Sequence, residues 1–582
     1  MKKTLSISLL SAAIAMMTCC STEDPFDSFY NDNAWNVPSA PDGGSSSATT
    51  GSLISFDIAI DRTTAEPTSS AAAYLPDEDD VYDATAFATV VTIDMANPQA
   101  TTVNGVTLTV NGHHVTANHG ETTGIRYRVS GTTADGSLTI LGAKKYAVEL
   151  CGTSISNPDS AALNLLSSKR AFLILADGTS STLADGMGGS HKGALYAKGK
   201  LLINGNGSLA VTGNSNNGIH SADYIAFASG CNVYVKSTAN HGIKANDGIF
   251  INGGILNVEV TAEAAKGINC ESHIVVTAGR TTVLTSGGGT YDSDDREAKG
   301  AAGIKTDSTL TVTGGELRLK STGAGGKGIN ADGTITVSGG SIDIVTTGSQ
   351  YKNNGDTSSP KGIKADGNIT VSGGRIWVRT SGTNGEGIET KGELSISGGE
   401  VASYAYDDAV NSKSSMTISG GYVFAQGQHN DGLDANGNCY IRGGLVYAVC
   451  SGSPEVAIDA NTEGGYKLYV EGGTIIAVGG LENGASLSQS CYQASQWSAS
   501  TQYGMTVGAA ALAFVTPASG GSGLVVSAAS QPTLSAAVSV SGGTGLFGGL
   551  TTVDTSVSGG STVSLSSYTG GNGMGGGPGG RR

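Results

Sequence analysis

The chain has 582 residues, 89 of them glycine, with only 14% charged residues and a formal net charge of -16. Glycine at about twice its usual share, with charge well below the usual quarter, excludes a charged helical protein. The acidic balance supplies no counterion-release drive toward nucleic acid and demotes that function, while metal ions stay compatible with it.

From the N-terminus, Lys2 and Lys3 precede an apolar stretch, Leu5 to Met17, that is too short to cross a bilayer as a stable helix. Residues 1–20 therefore read as an export signal. A large apolar residue, small residues and then Cys19 or Cys20 resemble a bacterial lipoprotein signal, which implies acylation of one of the two cysteines. Ser21-Thr22-Glu23-Asp24 resembles the acidic tag that sends lipoproteins of the Bacteroidetes to the outer face of the outer membrane. The expected place is the cell surface, lipid-anchored in the outer membrane; ordinary secretion is the alternative. Residues 21–50, rich in Ser, Asp, Asn, Gly and Pro, read as a flexible linker.

Strand signals begin near residue 51. Over 51–190 they alternate irregularly, as an N-terminal cap and early β-helix coils would. Over 191–480 a repeat becomes plain. Its anchor recurs at Ala194, Gly218, Gly242, Gly267, Gly303, Gly328, Gly362, Gly387, Ala409, Gly432 and Ala457, at steps of about 25 residues apart from two longer ones that mark insertions at 287–299 and 348–360. Within one unit Ile363 and Ala365, Ile369 and Val371, and Ile376 and Val378 alternate as the inward residues of three short strands. This predicts an all-β, right-handed parallel β-helix, a solenoid with three strands per coil. A β-propeller needs four strands per blade and a longer period. Residues 481–568 change pattern and read as a small C-terminal β module that caps the last coil, and 569–582 as a disordered glycine-rich tail. Cys151, Cys231, Cys270, Cys439, Cys450 and Cys491 show no CxxC spacing, so a zinc site is not expected.

Stacking turns repeat positions into columns. Two residues past the anchor run His220, Lys244, Asn269, Lys305, Asn330, Lys364, Glu389, Asn411, Asp434 and Asp459; one residue before it run Lys266, Lys327 and Lys361, then Glu386, Asp408 and Asp431. Both columns turn from basic to acidic near residue 386. Carboxylates at coil spacing, about 4.8 Å, repel unless a cation lies between them, and calcium bonds oxygen at about 2.3 to 2.6 Å. Glu386, Glu389, Asp407, Asp408, Asn411, Asp431, Asp434 and Asp459 are the expected calcium ligands, with Asn436 able to complete the shell; a solvated acidic face is the alternative. A further outward column carries Trp377, Phe424 and Tyr447, suited either to stacking on sugar rings or to packing beneath the C-terminal module.

The runs Gly385-Glu386-Gly387-Ile388-Glu389, Asp407-Asp408-Ala409-Val410-Asn411 and Asn430-Asp431-Gly432-Leu433-Asp434 resemble the bacterial β-helix carbohydrate-binding proteins of the clostridial cellulose- and pectin-associated type, related in shape to calcium-dependent pectate lyases. The resemblance covers about 100–565. Gly385 replaces the family's usual aromatic, and Ala409-Val410 replace Gly-Ile. What the resemblance implies is calcium-dependent binding of an acidic polysaccharide, a uronic-acid polymer such as polygalacturonate, with Lys361 and Lys364 able to pair with its acids; Trp377, from the aromatic column, is the third expected substrate-binding residue. One alternative is a calcium-dependent polysaccharide lyase with Lys364 as base; another is a structural adhesin. A monomer is expected.

Overall fold

The computed structural model describes residues 56–570 apart from 64, 188–190 and 495. The predicted signal, Cys19 and Cys20, the 21–50 linker and residues 571–582 of the tail lie outside the described residues. What is described is a parallel β-helix with a C-terminal β module. One sheet of 15 strands takes one strand from each coil, and a sheet of 29 strands takes the other two. In the coil read above, the three are Lys361–Ala365, Ile369–Val371 and Arg375–Thr380. Each pairs in parallel with its equivalent one coil on, so Ile363 meets Ile388, Ile369 meets Leu394 and Ile376 meets Val401. These inward residues are all at most 3% exposed and belong to one continuous core. A single coil has nothing to bury them against, so stability comes from its neighbours.

The bend between the second and third strands is made by a glycine pair. The second member, at Gly340, Gly374, Gly399 and Gly421, holds φ between 74° and 80°, a left-handed conformation that favours glycine. At the anchor the reason for glycine is space instead. A Cβ on Gly362 would lie 2.1 Å from Val378 Cγ1, and one on Gly242 2.3 Å from Val258 Cγ1. Along the column that contains these facing side chains, Val378 is followed by Ser403, Ala425 and Ala448. The facing residue thus shrinks from the coil before the one in which Ala409 replaces glycine. The extra methyl of that coil is accommodated by a smaller neighbour.

Parallel pairing starts earlier than the regular repeat, with Thr89–Asp94 on Ile125–Ser130. Ahead of it, residues 56–87 run along the outside of the larger sheet against the direction of the coils. Asp57 pairs with Lys320 at 2.7 Å, Ser69 donates to Thr277 O at 2.7 Å, Tyr74 stacks on Phe250 at 5.3 Å and Asp80 receives Arg170 at 2.7 Å. At the other end the large sheet turns antiparallel, Leu524–Ser527 pairing with Thr474–Val478 and Cys491–Ala494, and the latter with Ser566–Tyr568. A six-stranded sheet running from Gln502–Val507 to Ser561–Val563 then packs Tyr503 and Phe514, together with Phe547 of the 3-10 turn Phe547–Gly549, over Phe424, Tyr447 and Ile476.

The two insertions are hairpins, Thr290–Asp292 with Glu297–Lys299 and Tyr351–Asn353 with Asp356–Ser358. They lean on one another through Ala298 N, which donates to Asp356 Oδ2 at 2.7 Å. None of the six described cysteines is in a disulfide, and all but Cys151 are buried.

The anchor geometry leads to a stability test. Gly362→Ala is expected to destabilise by about 1–3 kcal/mol through overpacking against Val378. Ala409→Gly, in the coil with the smaller facing residue, is expected to cost no more than about 1 kcal/mol. Urea unfolding of the two variants beside the wild type measures both.

Candidate functional site

On the smaller sheet each coil shows two outward side chains, one before the anchor and one two residues past it. The register stacks His220, Lys244, Asn269, Lys305, Asn330, Lys364, Glu389, Asn411 and Asp434 in one column. Asp459 extends it through the bridge from Leu433 to Ile458. Lys266, Ala302, Lys327, Lys361 and Glu386 stack beside it, and the strand edge continues through Asp408 and Asp431, whose carbonyls accept from Gly387 N and Ala409 N. Ala302 is a rung that the sequence pattern passes over.

A third column, at the corner that follows each strand, escaped the sequence reading. Its members share one backbone bond back to the preceding coil: Asp332 N to Thr306 O, Asp366 N to Ala331 O, Lys391 N to Ala365 O, Lys413 N to Thr390 O and Asn436 N to Ser412 O. The signs run opposite to those of the ladder. Acids stand beside the lysines, and lysines beside the first acids. Lys305 bonds Asp307 and Asp332 at 2.7 Å each, Lys364 bonds Asp366 at 2.8 Å and Lys391 bonds Asp366 at 2.9 Å. The signal was present at the same period, one column over.

The lysines before the anchor are held as well. Lys266 Nζ donates to Gly300 O at 2.6 Å and Lys327 Nζ to Ser358 Oγ at 2.8 Å, tying down the bases of the two hairpins. Lys361 Nζ lies 2.9 Å from Glu386 Oε2 and also bonds Glu389 Oε2. Burial lifts the pKa of Glu386 above the usual carboxylate range. Burial would lift Glu389 too, but a hydrogen bond with Glu386 and the Lys361 charge outweigh it and hold Glu389 low.

The following coils bring the remaining acids together. Asn411 Nδ2 donates to Asp408 Oδ2 at 3.0 Å and to Asp434 Oδ2 at 2.8 Å, while its Oδ1 is buried with no hydrogen-bond partner. Asp408 Oδ1 receives Asp431 N at 3.1 Å, and Asp431 Oδ1 receives Val456 N at 2.8 Å. Asp431, Asp434 and Asp459 each offer a carboxylate oxygen, all within 4.8 Å of one another. Burial, then the nearby charges of Asp459 and Asp408, push Asp431 up to about 10. Burial and the Asp434 charge also raise Asp408. Three converging carboxylates, with Asp431 raised well above the usual carboxylate range, beside a buried amide oxygen without a donor, match the hard-oxygen set that calcium takes. Asp407 stands apart on the turn, its N bonded to Gly385 O at 2.9 Å.

Trp377 lies on the larger sheet. Its Nε1 donates to Glu400 Oε1 at 2.9 Å, Arg375 lies 4.2 Å over its ring, and it packs with Phe56 at the edge of the C-terminal module. Phe424 and Tyr447, in the same column, are at most 1% exposed beneath that module.

Two overlapping segments, residues 111–265 and 235–384, match the model of a family described as carbohydrate-binding domain-containing proteins. Over those coils the chain resembles that family. The acidic coils begin directly after the matched segments. A relative from Acetivibrio thermocellus, also described as a carbohydrate-binding domain-containing protein, is 30% identical over 121 residues, 19% of this chain. The match spans 42% of that relative's length. A solved structure of a polysaccharide lyase-like protein from C. thermocellum, in a gadolinium derivative, shares 24% identity, with 43% of this chain and 95% of that one covered and a TM-score of 0.34.

The raised value of Asp431 has a sign. Between about 3.8, its ordinary value, and about 10 the folded chain keeps a proton that the unfolded chain releases, so this group's stabilising contribution is lost as pH rises through that window. In chelator, Asp431→Asn is expected to raise the melting temperature at pH 8 and to leave it nearly unchanged at pH 4. Calcium at about 100 times its Kd is expected to stabilise the wild type by about 2.7 kcal/mol and the variant by much less, read by thermal unfolding.

Proposed function

We propose that the protein is a cell-surface carbohydrate-binding lipoprotein, anchored through Cys19 or Cys20, that captures acidic polysaccharide of the uronic-acid class, such as polygalacturonate, through calcium. The observation that carries this reading is the convergence of Asp431, Asp434 and Asp459 at one end of a polar ladder whose lower coils match a carbohydrate-binding-domain family. A calcium ion held there keeps coordination positions for carboxylates of the polymer, so one ion joins protein and sugar charges that would otherwise repel. The strap formed by residues 56–87 and the C-terminal module dock on the larger sheet, which leaves the ladder on a sheet of its own.

A lyase reading needs a free base near the metal. Lys364 is bonded to Asp366, and Lys361 is enclosed by Glu386 and Glu389, so neither amine is set to take a proton from a sugar ring. Binding alone fits this geometry better.

Equilibrium binding to polygalacturonate in calcium and in chelator tests the reading. Binding is expected in calcium, with at least a tenfold loss in chelator or in Asp434→Asn, and no more than weak binding to a neutral polymer. Binding that is unchanged in chelator overturns the calcium bridge, and steady release of unsaturated product overturns the choice of binder over enzyme.

A further inference from the structure

The first acidic coil already holds a positive charge. Lys361 reaches up from the coil below and places its ammonium between Glu386 and Glu389, and all three side chains are at most 13% exposed. One cation enclosed by two glutamates from the next coil is the arrangement a bound metal would make.

Beyond that coil the two ladder columns hold no further lysine. Before the anchor the residues are Lys361, Glu386, Asp408, Asp431 and Val456; two past it they are Lys364, Glu389, Asn411, Asp434 and Asp459. At the corner they are Asp366, Lys391, Lys413, Asn436 and Asn461. Lys413 is still close enough to act on Glu386 and Glu389 electrostatically. In the next two coils the corner residues are the neutral Asn436 and Asn461, and it is there that three aspartates converge.

A separate observation points to a ligand beside that cluster. Asn411 is 1% exposed and donates to Asp408 and Asp434, yet its Oδ1 has no partner. The carboxylates it touches are acceptors, so what this oxygen lacks is a cation or a donor.

We propose that Lys361 is a built-in counter-cation that fills the first acidic coil, so that the ladder takes a single divalent cation, at Asp431, Asp434 and Asp459. This rests on the calcium reading above and extends it to the number of ions and the residue that sets it. Replacing Lys361 with an apolar side chain of similar length leaves the buried, charged Glu386–Glu389 pair without its cation, and that coil then gains a demand for one.

Calorimetric calcium titration of the full chain tests the assignment. The wild type and Lys361→Arg are expected to bind one ion, and Lys361→Met two. A wild type that binds one and a Lys361→Met that still binds one overturn the role of Lys361 and leave the calcium reading standing. A wild type that binds none overturns both, and one that binds two overturns the count. If Lys361→Met does not fold, Asp434→Asn decides, since it is expected to lose stoichiometric binding; one ion retained at unchanged affinity would put calcium at the Lys361 coil and overturn the proposal.

Discussion

The structure depends on parallel pairing between successive coils at a spacing of about 4.8 Å. Such pairing sets equivalent residues on top of one another, so every column must tolerate its own repetition. Apolar columns do this readily: Ile363 on Ile388 and Ile376 on Val401 extend one dry core along the molecule. Columns of charge do not. A ladder of like charges at this spacing is costly unless something of opposite sign is built in or bound, or some of its members give up their charge.

The protein meets that demand in two ways. Along the basic coils the corner column supplies Asp307, Asp332 and Asp366 to Lys305 and Lys364. At the change of sign the corner column changes too, and Lys361 crosses from one coil into the next to join Glu386 and Glu389. Internal compensation thins out as the corner becomes Asn436 and Asn461, and the elevated value of Asp431 shows the cost of leaving carboxylates together in a buried place. The proposed calcium site lies at the end of the ladder where the corner column turns neutral.

The same rule of repetition governs volume. Glycine at the anchor of most coils makes room for a valine, leucine or isoleucine from the facing strand, and where Ala409 breaks the pattern the facing column has already become Ser403 and Ala425. The outer aromatic columns are settled differently. Phe172 and Phe250 are covered by residues of the 56–87 strap, and Phe424 and Tyr447 by the C-terminal module, so apolar surface on the larger sheet is consumed by the chain's own ends.

The repeat spacing, the three strands per coil, the two insertions and the ladder that turns acidic at Glu386 were all legible in the amino-acid sequence, because period and alternation are properties of the chain alone. Three things were decided only in the folded molecule. The strap contacts join residues such as Asp57 and Lys320 that no periodicity relates. The burial of Phe424 and Tyr447, and the place of Trp377 at the module's edge, depended on where the module docks. The division of the acids into a lysine-filled pair and a converging trio depended on side-chain reach across coils: Lys361 bonds the coil after its own, and Asn411 joins Asp408 to Asp434. A sequence column records which charges are stacked; only the fold settles which of them are already answered.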